Sequence, residues 1–282
     1  MKKFIAAFDG LKFNTSTLHY ALDLAKQNNA HLVGVFLDDF TRRSYGIAEI
    51  AHHAGAELDN LVQEWDQKDE DERERSVALF EEACQQNNIS YALHHDRNVA
   101  LQDLLQETVY ADLLLIGAEE TLTRSEEPVP TRFIRDLLNN VQCPVVLTPV
   151  VHHPINKIIL LYDGEPSSVH AVRMFSYLFE RMKQLDTETL TVKKEQENIF
   201  LPNRRLILEF LKQHYPLANS VVLKGDPEDV IITYLLREKK HPMVGLGAYQ
   251  RSPLSRLFKP SMADRLLQQV KNMPLFIAHN KS

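Results

Sequence analysis

The chain has 282 residues, 44% apolar and 25% charged, which suits a folded globular protein of two ordinary domains and excludes a disordered one. No apolar run reaches the ~18 residues of a membrane helix; the Lys-Lys start meets Asp9 before a secretory core can form, and two cysteines without a CxxC spacing fit a reducing cytoplasm rather than a disulfide framework. The net charge of −6 hides a split: residues 1–150 hold 13 Lys and Arg against 25 Asp and Glu, residues 151–282 hold 19 against 13, and the two halves should attract each other.

Residues 3–8 are a short apolar run ending at Asp9-Gly10, which predicts a strand and a turn. Asn14, Thr15 or Ser16 can cap a helix whose apolar stripe is Leu18, Ala21, Leu22 and Ala25, and Asn28-Asn29 ends it. Residues 31–37 predict a second buried strand. The long segment 38–88 becomes helical in its later part, with Leu58, Leu61, Val62 and Trp65, then Val77, Phe80, Ala83 and Cys84. Between those sets, residues 66–76 contain no apolar side chain and are expected to form an exposed helix extension. Residues 89–93 predict a third strand. Asn98 or a neighbour opens a helix over Val99, Leu101, Leu104 and Leu105, and residues 113–116 form a fourth strand. A polar loop, a helix with Phe133, Ile134, Leu137 and Leu138, and a fifth strand at 145–148 follow.

After a linker at 150–156 the cycle restarts. Residues 158–162 end in Asp163-Gly164, as the first strand ended in Asp9-Gly10. Ser167 or Ser168 is expected to cap a helix carrying Val172, Phe175, Leu178 and Phe179. Strands are predicted at 189–192 and 220–223, with a helix at 199–214 interrupted early by Pro202. Gly225-Asp226-Pro227 is a helix start, with Asp as the cap and Pro in the first turn. The last stretch, PMVGLGAYQRSPLSRLFKPSMADRLLQQVKNMPLFIAH, repeats the plan of ADLLLIGAEETLTRSEEPVPTRFIRDLLNNVQCPVVLTP. Gly117 to Pro130 is 13 positions, and so is Gly247 to Pro260. One register kept twice argues for a duplicated unit. Apolar strands alternating with helices imply a parallel sheet covered on both faces. The reading is therefore α/β with two domains, 1–150 and 155–282, the first enlarged in its second helix.

The strand ending in Asp-Gly before a Ser/Thr-rich helix start, the GDPEDVI segment and the NVQCPVVLTP ending resemble the universal stress protein family, twice over and along essentially the whole chain. The resemblance implies a five-stranded sheet of order 3-2-1-4-5 in each half, and pairing of domains or of chains through the fifth strands. It also implies a nucleotide loop G-x2-G-x9-G-[ST] after the fourth strand. The first half offers Gly117, Glu120, Pro130 and Thr131 at those positions; the second offers Gly247, Gln250, Pro260 and Ser261. One of three glycines and the hydroxyl survive in each.

Glycines in such a loop let backbone N–H groups reach phosphate oxygens, whereas Pro130 and Pro260 each remove a donor. The charges then diverge. Glu119, Glu120, Glu126 and Glu127 face Arg124 alone in the first loop, which would repel polyphosphate. Arg251, Arg256 and Lys259 stand without an acid in the second, so Asp163, Gly247, Gln250, Arg251, Lys259, Ser261 and Met262 are the candidate nucleotide residues. Asp9, Gly117, Glu120 and Thr131 are their degenerate counterparts. Asp9 and Asp163 sit where parallel sheets bind ligands.

The near GxGxxG at Gly245 follows the fourth strand rather than the first, which argues against a dinucleotide oxidoreductase. Three His-His pairs lack metal-ligand spacing, Cys84 and Cys143 read as packed thiols, and no basic-aromatic pattern points to nucleic acid. The expectation is a cytoplasmic, non-enzymatic stress-response module that binds or interacts. The alternative is an ATP- or AMP-binding protein, with Mg²⁺, using the second half.

Overall fold

The computed structural model describes residues 1–37, 43–46, 56–96, 100–247 and 262–279. The first half runs β1 (Lys3–Asp9), α1 (Thr15–Asn28), β2 (His31–Leu37), α2 (Ala56–Gln86), β3 (Tyr91–Asp96), α3 (Ala100–Val109), β4 (Leu113–Gly117), α4 (Arg132–Asn140) and β5 (Val145–Thr148). The second runs β6 (Lys157–Leu161), α5 (Pro166–Leu178), a 3₁₀ turn (Glu180–Gln184), β7 (Asp186–Lys193), α6 (Arg204–His214), β8 (Asn219–Lys224), α7 (Pro227–Arg237), β9 (Pro242–Gly247), α8 (Met262–Gln269) and β10 (Leu275–Ala278).

All ten strands form one sheet in the order β3-β2-β1-β4-β5-β10-β9-β6-β7-β8. Each half thus has its strands in the order third, second, first, fourth, fifth. Every pairing is parallel except that of β5 with β10, which is antiparallel and sets Val146 opposite Phe276. That pairing joins the halves and occupies the free edge of both fifth strands.

Strand side chains alternate between two apolar layers. One packs Phe4, Phe8, Phe36, Leu160 and Phe276 under α1, α2, α5 and α6. The other packs Ile5, Val35, Ile116, Leu246 and Ile277 under α3, α4, α7 and α8. Burial on both faces explains why the strands read as unbroken apolar runs.

Several boundaries differ from expectation. β3 lies two or three residues later than 89–93, because Asn88 takes a left-handed φ of 53° and turns the chain out of α2 before pairing begins. α5 starts at Pro166 with Glu165 at the cap position; Ser168, one turn inside, donates its hydroxyl to the Glu165 carbonyl instead of capping. α6 starts only after Pro202, leaving Ile199 and Phe200 outside it. Asn98 lies outside the described residues. Residues 66–76 are helical as expected, yet not uniformly exposed. Asp69 is buried and accepts the Ser44 backbone N–H at 2.9 Å, and Ser76 is buried and donates to the Gly10 carbonyl at 2.9 Å. Polar side chains make these anchors, so no apolar pattern announced them.

The two halves also differ at the N-terminal ends of their first strands. Lys157 opens β6 almost fully buried, with Nζ 2.8 Å from Glu188 and 2.6 Å from Glu238. Burial works against its charge, but the two carboxylates prevail and its pKa is raised. Tyr234 donates to Glu188 at 2.6 Å, and burial together with that bond pushes its phenol up to about 12. In the first half, Lys3 meets Glu107 at 3.1 Å in a more open setting, and His94 shares that carboxylate.

Candidate functional site

Both candidate positions lie at the C-terminal ends of the parallel strands, where β1 and β4, or β6 and β9, diverge to feed helices on opposite faces.

In the first half Asp9 ends β1 and is buried; its Oδ1 accepts the Leu11 N–H at 2.9 Å and closes the turn. Asn14 caps α1 by accepting the Thr17 N–H at 3.0 Å. Gly117 ends β4 against that cap: a Cβ there would stand 2.6 Å from Asn14 Nδ2. The glycine is thus required by the approach of α1. The hydroxyls of Thr17 and Thr148 lie 2.6 Å apart, and Ser16 donates to the Pro149 carbonyl, tying α1 to β5.

Glu120 then turns inward. It is buried, and its Oε1 accepts the backbone N–H groups of Thr121 at 2.9 Å and Leu122 at 3.0 Å. Burial raises its pKa and the carboxylate of Asp9 raises it further, while the two N–H bonds and Lys12 work the other way. Thr131, also buried, donates its hydroxyl to the Glu120 carbonyl and accepts the Ile134 N–H at 3.2 Å as the cap of α4. Glu127 accepts the Arg132 backbone N–H at 2.8 Å and the Arg132 guanidinium at 3.0 Å; these bonds hold its carboxyl below the usual range. A carboxylate therefore already sits at the N-terminus of α4, the place a helix dipole offers to a phosphate. Glu120, Glu127 and Thr131 are thus engaged with the chain itself.

The second half is arranged otherwise. Asp163 follows β6 and is exposed; its Oδ1 accepts the Glu165 N–H at 2.9 Å. Gly247 ends β9 against α5 so closely that a Cβ would lie 2.3 Å from the Ser167 carbonyl oxygen. Again the surviving glycine answers to packing. Between the strand ends lies a cavity of about 200 Å³, walled by Leu161, Leu190, Ile231 and Met262 and open toward Asp163 and Gly247. α7 flanks it, with Asp226 accepting the Glu228 N–H at 3.0 Å. The lining offers an apolar slot with one carboxylate at its rim, able to accept hydrogen bonds.

Asp163, Gly247 and Met262 are thus brought together around one cavity. Asp9, Gly117, Glu120 and Thr131 lie at the matching strand ends of the first half, with Thr131 bonded to Glu120 and Glu120 within electrostatic reach of Asp9. Gln250, Arg251, Lys259 and Ser261 lie outside the described residues, as do Arg256 and Pro260. The walls Leu190 and Ile231 were read from the sequence only as strand and helix core; nothing in an apolar period distinguishes a residue facing a cavity from one facing a neighbour. Among the described residues no group of three or more His, Cys, Asp or Glu side chains could hold a metal ion, and no helix is long and apolar enough to cross a membrane.

No family model matches the sequence, and no curated protein sequence matches it. Solved structures do. The chain is similar to a universal stress protein from Archaeoglobus fulgidus DSM 4304, at 11% identity and a TM-score of 0.67, covering 98% of each chain. It is similar also to a functionally unknown protein from Pseudomonas aeruginosa PAO1, at 11% identity and a TM-score of 0.59, covering 99% of this chain and 92% of that one. The chain has the fold of a tandem universal stress protein.

Proposed function

We propose that this chain, folded as a tandem universal stress protein, is a non-enzymatic, cytoplasmic binding module of a stress response. It carries one ligand position, in the second half. The observation that supports this reading is the contrast between two equivalent places: a cavity beside Asp163 in the second half, and the inturned Glu120 in the first. The ligand class is an adenine nucleotide, AMP or ATP. The apolar slot suits a purine, Asp163 suits ribose hydroxyls, and the basic residues Arg251, Arg256 and Lys259, with the Ser261 hydroxyl, are the sequence's partners for phosphate. Mg²⁺ would arrive with the phosphates of ATP and draw its ligands largely from them.

The test is calorimetric titration of AMP, and of ATP with and without Mg²⁺, into the full chain. One equivalent should bind per chain. Arg251→Glu should weaken that binding by ~30-fold, on the order of 2 kcal/mol for losing a charge-assisted contact and adding repulsion. Glu120→Gly should leave the stoichiometry at one, because Glu127 still fills the N-terminus of α4. No heat with any adenine nucleotide, or two equivalents per chain, would refute the proposal.

A further inference from the structure

We propose that a second copy of this chain docks on the face formed by α1, α2, α5 and α6, with a two-fold axis between the copies and the α6 ridge of each seated in the α2 groove of the other.

The first observation is that α6 is apolar on both sides. Ile207 and Leu211 face the core, while Leu206 remains 60% exposed on the outside. Leu208 is exposed beside it, and at the helix's flank the half-buried Phe210 stacks on His214 at 4.2 Å while the exposed Tyr177 of α5 meets His214 edge-on at 5.9 Å. Just before the helix, Ile199 and Phe200 are 62% and 58% exposed. Leu206 and Leu208 with Ile199 and Phe200 make an apolar patch on the outside of an otherwise amphipathic helix, and no described residue covers it. The ridge is edged by cations. Arg204 lies over the Phe200 ring at 6.0 Å, and Arg205 and Lys212 are exposed beside it. Glu209 is the one acid on that helix.

The second observation is independent of the first. α2, the equivalent helix of the first half, carries eleven Asp and Glu against three Lys and Arg. Between it and β3 runs a groove of about 550 Å³ lined by Val77 and Ala78, by Glu70, Glu74 and Glu81, and by His95 of β3; Arg73 is the cation among its lining. An apolar ridge edged by cations therefore has a counterpart in a groove lined by apolar side chains and carboxylates.

The topology makes the fit reciprocal. α2 and α6 pack on the same side of the sheet, over its opposite ends. Turning a second copy over onto that side by a two-fold axis in the plane of contact and along the strands brings the second half of each chain over the first half of the other. The ridge meets the groove twice, as an isologous interface requires. The net negative first half and net positive second half face their opposites across it. An acidic second half would make the same stacking repulsive. The fifth strands are not available for such a contact, since both of their edges are paired within the chain.

Sedimentation velocity on the full chain over a concentration series tests this. A dimer is expected at low salt, weakening as ionic strength rises. Leu206→Glu, at an exposed position, should weaken association by ~10-fold or more, as for a buried interface anchor. Glu74→Arg should weaken it as well, and Glu74→Arg combined with Arg205→Glu should restore it. Unchanged circular dichroism and melting temperature would show that each variant is folded. A chain that stays monomeric at every concentration in low salt overturns the proposal. So does a dimer indifferent to Leu206→Glu, or a charge reversal that its counter-reversal does not rescue.

Discussion

Glu120 and Gly247 belong to the same short stretch of two equivalent halves, and they show what duplication preserves. The strand order, the distance from the fourth-strand glycine to the Pro-hydroxyl pair, and the close approach of the helix after the first strand to that glycine are kept in both. What fills the space between the strand ends is not kept. The first half supplies its own carboxylates to its own loop and helix N-terminus, whereas the second leaves a cavity. The backbone frame is constrained by packing in every copy, while the occupant of the strand ends is constrained only where something binds. A surviving glycine is therefore poor evidence for a surviving site.

The largest expected difference between the halves lies at the other end of the strands. Lys157→Met strands Glu188 and Glu238 beside each other in a buried place, and should cost about 3 kcal/mol, as for breaking a buried pair from one side. Lys3→Met, whose ion pair is more open, should cost no more than about 1 kcal/mol. Urea denaturation of both variants checks this, and equal losses would mean that the two ends are energetically alike.

The glycines come next. Gly247→Ala drives a methyl into the Ser167 backbone and should destabilise by about 2 kcal/mol. Gly117→Ala meets the tip of the Asn14 side chain, which can move at the expense of its cap, and should cost about 1 kcal/mol. The same denaturation series measures both. A Gly117→Ala loss exceeding that of Gly247→Ala would show that the Asn14 cap, and not backbone contact, dominates.

A smaller effect isolates Glu120. Its pKa in the folded chain is raised above the ordinary 4.5 by burial and by Asp9, so folding favours its protonated form. Its contribution to stability is complete below 4.5 and is lost as pH rises through the raised value. Glu120→Gln keeps the oxygen that accepts the Thr121 and Leu122 N–H groups and removes the charge. It should raise the melting temperature by a few degrees at neutral pH, with the gain shrinking as pH falls through the raised value and gone below 4.5. A thermal melt series against pH reads this directly, and a loss at neutral pH would mean that the ionised form is needed.

The smallest effect concerns the long helix. Permuting the exposed Gln67, Lys68, Asp71, Glu74 and Arg75 should leave the melting temperature nearly unchanged, each change being within about 0.5 kcal/mol. Ser76→Ala should cost about 1 kcal/mol through its lost bond to Gly10. Differential scanning calorimetry separates the two.

Most of the fold was legible in the sequence because strand and helix periods are statements about burial, and burial on both sheet faces is strong here. The starts of β1, β2, β5 and α7 fall where apolar runs and caps place them. Boundaries were lost where a single residue's geometry decided them, as with the left-handed Asn88 and the Pro166 start of α5. The site was legible as a set of positions and not as a state. Glu120 was seen as an obstacle to phosphate, but its turn into the interior depends on two backbone N–H bonds and on Asp9, none of which leaves a periodic trace. The anchors Asp69 and Ser76 were missed for the same reason: a lone polar residue within a charged run looks solvated until its partner is found.

The antiparallel join of β5 to β10 gives the molecule a polarity of its own. Strand C-termini in the first half point one way, and those in the second half point the other. The closed loop of Glu120 and the mouth beside Asp163 therefore open onto opposite rims of the sheet. A macromolecule lying along one rim reads the loops of one half and the strand starts of the other, never both loops together. A ligand at the proposed position beside Asp163 would be presented away from the Glu120 rim.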